Sequence, residues 1–132
     1  MITDALPDRE QAVFVRGGTI MPILLHDDCL ALLKCLNNDI KLDIYLDTEM
    51  QAKGGLYLDD GTSFDYVDRQ SGSIRLQFDF VDGVLTTKFV HGDKYDRVPD
   101  VASVVMYGIA KEPESVTNSE GNLISYFYDS VK

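Results

Sequence analysis

The chain has 132 residues, a formal net charge of −10 and 45% hydrophobic residues. That length allows one domain with a real core, or one domain plus part of a neighbour, and the apolar content excludes a disordered chain. Twelve scattered basic residues in an acidic chain argue against a nucleic-acid partner, because phosphate binding needs clustered Lys and Arg, and no apolar run approaches the about 20 residues of a membrane span.

A soluble globular chain with a solvated acidic surface is therefore expected, without nucleic-acid or membrane partners. Residues 1–10 are polar and mixed in charge. They lack the basic start and apolar stretch of a secretory signal, as expected of a cytosolic chain or of an internal piece of something larger.

Val13-Phe14-Val15 predicts a buried strand and Thr19-Ile20-Met21 a second. Gly17-Gly18 between them permits a sharp turn or a close backbone approach. Pro22 cannot donate to a ladder and marks a strand end or an edge. The glycine pair lacks the spacing and the Lys-Ser/Thr of a phosphate loop.

In residues 26–38, Asp27 or Asp28 can cap a short helix in which Cys29, Leu32, Leu33 and Leu36 recur at roughly helical spacing. Cys29 and Cys35 make neither a disulfide framework nor a zinc site; two buried free thiols are expected.

Clean alternation begins at Ile40. Ile40, Leu42, Ile44 and Leu46 fall on one face, with Lys41, Asp43, Tyr45 and Asp47 on the other, a half-buried strand. A polar loop over 47–53 leads to residues 54–66, which read as two short strands around an Asp60-Gly61 hairpin turn. Ile74, Leu76, Phe78 and Phe80 alternate with Arg75, Gln77 and Asp79; Asp82-Gly83 turns the chain, and 84–90 returns.

Residues 101–109, rich in Val, read as a central strand, broken near Pro113. Val116-Thr117 and 123–128 read as strands joined by a turn over 118–122. The end of the chain looks like a turn with a further strand starting, a sign of truncation. Short strands with turn signals and no crossover helices predict an all-β fold, an antiparallel β-sandwich.

Asp59, Asp60 and Asp65 are the densest carboxylate group, but an EF-hand with Gly61 at its sixth position needs an oxygen ligand where Leu58 stands. Asp side chains bonding nearby backbone N–H groups are expected instead. Asp59 and Asp60 are adjacent, whereas glycosidase carboxylates face each other about 5–10 Å apart across a cleft. His26 and His91 lie in no catalytic motif, and His91 reads as a solvated loop residue. Tyr57, Tyr66, Tyr95, Tyr107, Tyr126 and Tyr128 could offer aromatic faces to a sugar, but packing is expected of most, and the chain has no Trp. No catalytic, cofactor or metal residue emerges.

Two stretches carry a family resemblance. The run Val13-Phe14-Val15-Arg16-Gly17-Gly18-Thr19-Ile20-Met21-Pro22 resembles a segment near the C-terminus of glycoside hydrolase family 31 α-glucosidases. So does Ala52-Lys53-Gly54-Gly55-Leu56-Tyr57-Leu58-Asp59-Asp60-Gly61-Thr62-Ser63-Phe64-Asp65-Tyr66, in fitting order and separation. Val104-Val105-Met106-Tyr107-Gly108 followed by Pro113 is similar to a third. Glucosidase II-type and lysosomal-type acid α-glucosidases resemble it best.

The resemblance implies a multidomain enzyme whose (β/α)8 barrel precedes a proximal and a distal β-sandwich. Residues 1–25 would end the proximal sandwich, 26–37 would link, and 38–132 would form the distal sandwich, truncated at its C-terminus. The family's Asp nucleophile, followed by Met-Asn-Glu, is absent from this chain, so no catalytic residue carries over and no cofactor is implied. The implied partners are the barrel and the proximal sandwich of the parent chain, with carbohydrate as a further possibility. The implied compartment is the endoplasmic reticulum lumen, the lysosome or the secretory pathway. A non-catalytic module supporting the barrel is the favoured reading, and an independent carbohydrate-binding module the alternative.

Overall fold

The structure, a computed structural model, describes residues 13–25, 38–61, 63–64, 67, 72–92 and 98–130. It contains β1 (Thr19–Leu24), β2 (Ile40–Tyr45), β3 (Ala52–Asp59), β4 (Ser73–Val81), β5 (Val84–His91) and β6 (Val101–Tyr107). They form one six-stranded sheet in the order β5-β4-β3-β1-β2-β6. No α-helix occurs among the described residues. The helix expected over 26–37, with both cysteines, lies outside them.

Pairing is mixed. The consecutive pairs β1–β2, β3–β4 and β4–β5 are antiparallel, the last as the Asp82-Gly83 turn signal predicts. Two further neighbours, β1–β3 and β2–β6, are parallel. Parallel neighbours need a long return connection; β2 lies between β1 and β3 in the chain, and β3, β4 and β5 lie between β2 and β6. β1, expected to end a proximal sandwich, shares its sheet with β2–β6 and pairs with β2 along its whole length.

The alternating apolar residues bury one face. Ile20 of β1, Ile40, Leu42 and Ile44 of β2, Ala52 and Leu58 of β3, and Ile74, Leu76, Phe78 and Phe80 of β4 make the core. Phe78 is wholly buried, which contributes about 2–3 kcal/mol by apolar transfer. The Asp82-Gly83 turn is as expected: both residues have positive φ, 52° and 76°, which matches a two-residue hairpin turn to the right-handed twist of the strands it joins.

Pro22 lies inside β1 opposite Leu42, not at its end. Leu25 N–H donates to the Asp39 carbonyl at 2.9 Å, which places odd-numbered β1 residues in the hydrogen-bonded pairs with β2. The Pro22 nitrogen therefore faces the β3 side, where pairing is confined to Thr19 and Lys53. The missing donor costs no ladder bond.

Four expectations are corrected. Val13 and Phe14 form no strand and are 78% and 79% exposed. Residues 54–66 are not a hairpin, since β3 runs on to Asp59 and pairs with β4, Asp59 opposite Ser73. Both types of two-residue hairpin turn need positive φ at the first central residue; Gly61 has positive φ and Asp60 does not. Instead Gly61 N–H donates to Asp59 Oδ1 at 2.9 Å and Ser63 N–H to Asp60 Oδ1 at 3.0 Å, so the chain leaves the sheet in side-chain-held turns.

The third correction concerns β6, which is an edge strand paired with β2 alone. Its Val-rich composition fits a pleated surface of either kind, because β-propensity reports packing and not position in the sheet. The fourth concerns residues 116–128, where only a Thr117–Leu123 bridge forms. The turn between them is real. Asn118 Oδ1 accepts from Glu120 and Asn122 N–H at 3.0 and 2.9 Å.

Candidate functional site

The face of β3, β4 and β5 away from the core is polar. Register sets Lys53 beside Asp79, Gly55 beside Gln77 and Tyr57 beside Arg75. On the far side of β4, Lys88 lies beside Gln77 and Thr86 beside Asp79. Gly55 contributes no side chain, so a shallow open groove of about 280 Å³ remains above it, lined by Lys53, Gly54, Gly55, Arg75, Leu76 and Gln77.

Asp79, opposite Lys53 in the register, is 9% exposed and held by its neighbours. The Gln77 amide donates to both its carboxylate oxygens, at 2.9 and 3.2 Å, and the Lys88 ammonium stands 3.5 Å away. Lys53 and Arg75, both exposed, have no carboxylate within ion-pair distance among the described residues.

A second polar cluster lies on β2 and β6. Asp43 falls on the face that alternation assigns to solvent, yet it is 6% exposed, because Met21 and Val105 flank it in the register. Lys41 Nζ lies 3.0 Å from its Oδ1, while that oxygen has no aligned hydrogen-bond donor. Beside it, the Tyr45 and Tyr107 rings stack at 4.7 Å, 9° from parallel. Neither feature is visible in the sequence, since both depend on β6 landing next to β2.

Asp59 and Asp60 hold the turn, as described, and Asp65 lies outside the described residues with Tyr66, Tyr95 and His26. His91 is not a solvated loop residue: it ends β5 opposite Arg75, partly buried, its Nδ1 buried without a hydrogen-bond partner. Tyr57 and Tyr126 are exposed and not packed as expected; the Tyr126 hydroxyl donates to the Pro113 carbonyl at 2.6 Å. Among the described residues no group of three His, Cys, Asp or Glu is placed to hold a metal ion.

No family model matches the chain. It is 30% identical over 118 residues to an α-glucosidase of Schizosaccharomyces pombe, covering 89% of this chain and 11% of that one. Human neutral α-glucosidase C is 33% identical over 108 residues (80% and 11%), and human neutral α-glucosidase AB 31% over 112 (83% and 12%). In solved structures the fold matches a glucosidase II α subunit crystallised with α3-Glc2, with a TM-score of 0.56 and 25% identity over 83% of this chain and 13% of that one.

The fold is that of an all-β, sandwich-type domain. The chain is related to the glycoside hydrolase family 31 α-glucosidases and resembles their C-terminal β-sandwich region. It spans about 11% of the length of the curated relatives it matches.

Proposed function

We propose that this chain is a non-catalytic β-sandwich module of a family 31 α-glucosidase whose parent enzyme removes terminal α-linked glucose from oligosaccharides. The observation that carries this reading is the alignment of nearly the whole chain with about a tenth of much larger α-glucosidases. Asp43 and Asp79 are each held by a Lys and do not face each other across a cleft, so neither suits the paired-carboxylate chemistry of glycoside hydrolysis.

A supporting role for the module, against the barrel and a neighbouring sandwich, has a physical basis. Val101, Val104 and Val105 on the edge strand β6, and Leu123, Ile124 and Phe127 beyond it, are exposed, Phe127 by 89%. Apolar surface of this kind is stable in a larger enzyme when a neighbouring layer covers it.

The purified chain should release no p-nitrophenol from p-nitrophenyl α-glucoside; clear hydrolysis would overturn the reading. Deleting the matching segment from a full-length relative should abolish soluble, active enzyme. If deletion only weakens binding of polymeric substrate, the segment is a separate carbohydrate-binding module.

That second reading is favoured by Tyr57, 48% exposed opposite Arg75 in the register. The missing Trp and the absence of an acidic residue from the groove lining weigh against it. Calorimetry with maltose or starch oligomers decides, since no heat at millimolar ligand removes it.

A further inference from the structure

The two edges of the sheet differ in how they meet solvent. β5 carries Lys88 and ends at His91, and a lysine on an edge strand keeps it from pairing with another chain. β6 has no such guard. From Val101 to Ala110 the chain has no charged residue and no proline, although its net charge is −10. Among the described residues β6 pairs with β2 alone, and all of it except Met106 is exposed.

The backbone groups along this edge can be assigned. Leu46 N–H donates to the Tyr107 carbonyl at 3.1 Å. Beyond the bulge at its start, β6 therefore turns the N–H and C=O of Ser103, Val105 and Tyr107 toward β2. Those of Val104 and Met106 point off the edge, where an added strand would meet them.

A second copy of β6 fits that edge. In an antiparallel pair with its two-fold axis at Val105, Val104 of each copy lies opposite Met106 of the other, so every outward N–H and C=O is matched. Val105 meets its own equivalent at the axis and Ser103 meets Tyr107, pairs that set no like charges together. An uncharged strand is also where a strongly acidic chain can approach itself with least repulsion. Because both edges are used, the contact closes on itself and leaves no β6 edge open.

We propose that the chain forms a two-fold dimer by antiparallel β6–β6 pairing centred on Val105. The dimer uses the backbone edge of the sheet, not the side-chain surface that a neighbouring layer covers, and is independent of the module's role in an α-glucosidase.

Sedimentation equilibrium of the whole chain, from micromolar to millimolar concentration, tests this. The mass should rise from 14.8 kDa toward twice that value and no further. Val104→Pro removes a donor that β2 does not use, so the variant should keep the circular dichroism of the folded chain. Its dimerisation should weaken at least about tenfold, the scale of losing a hydrogen bond from each copy. A cross-linking arm decides even if that variant fails to fold. In a chain carrying Cys29→Ser and Cys35→Ser, Val105→Cys should form a disulfide with its own equivalent under mild oxidation. The two Cα atoms would lie about 4.5 Å apart in a non-hydrogen-bonded pair, within disulfide reach, whereas Val101→Cys would have no equivalent nearby. A chain that stays monomeric, a mass that grows past the dimer, or a dimer unaffected by a folded Val104→Pro variant overturns the proposal. So does Val105→Cys that cross-links no faster than Val101→Cys, or a dimer lost on Phe127→Ser and kept on Val104→Pro.

Discussion

Gly54 lies against the carbonyl oxygen of Ile20 so closely that no Cβ fits between them. β1 and β3 are joined by ladder pairing only at Thr19 and Lys53, where Lys53 N–H donates to the Gly18 carbonyl at 3.0 Å. The contact at Gly54 is how the parallel neighbours close up beyond that single pairing. It connects the two sequence blocks that carry the family resemblance.

Gly54→Ala should therefore destabilise the chain by about 3 kcal/mol, at the upper end of overpacking costs because a backbone atom and not a flexible side chain must move. Gly55→Ala, one residue on, should be neutral or stabilising by about 0.5 kcal/mol. Urea unfolding of the two variants checks this; equal midpoints would remove the distinction between the glycines.

The Asp82-Gly83 turn makes a second prediction. Gly83 sits at φ 76° with open space where a Cβ would be, so Gly83→Ala meets no clash but does meet backbone strain of about 1–2 kcal/mol. Gly83→Asn, which tolerates the left-handed region, should recover most of that loss. Thermal melts of both variants test whether strain alone sets the cost.

Phe78 is the largest side chain among the wholly buried residues, at the centre of β4 with β3 on one side and β5 on the other. Phe78→Ala should cost about 3–5 kcal/mol through lost transfer energy and a residual cavity. Phe78→Leu should cost clearly less. Denaturant midpoints in the two variants measure the difference.

Lys41 and Asp43 make a pair buried at one end only: the Lys41 side chain is 30% exposed and that of Asp43 9%. Removing the cation by Lys41→Met leaves a carboxylate among Met21 and Val105 and should cost about 2 kcal/mol, below the value for fully buried pairs because Lys41 is partly solvated. Asp43→Val in the same background should restore most of the stability. A double-mutant cycle in urea would show this as non-additivity; strict additivity would mean that the pair contributes nothing.

How much of this was legible in the sequence varies residue by residue. Phe78, Phe80, Ile74 and Leu76 announce their buried face by alternating with Arg75, Gln77 and Asp79, and the turn at Asp82-Gly83 is encoded in two residues. Asp60-Gly61 carries the same dipeptide and makes no hairpin. There Asp59 and Asp60 bind backbone N–H groups ahead of the turn, while strand β4 waits at Ser73. A local signal is reliable when the partner strand is local too.

The groove was not legible at all. Gly54 and Gly55 are the same letter in the same strand, and only the approach of Ile20 from one side and the open space on the other tell them apart. Asp43 likewise looks like any solvent-facing strand residue until β6 lies beside β2.

Side-chain alternation along each strand, the two-residue turn and the signature blocks were enough for an all-β chain, the inner faces of β2 and β4, and the α-glucosidase relationship. Strand order was not, because a strand's backbone donors and acceptors can be met by any neighbour, parallel or antiparallel, near or far in sequence. Tertiary packing alone chose β1 as the partner of both β2 and β3, put Val-rich β6 at the edge, and opened the groove over Gly55.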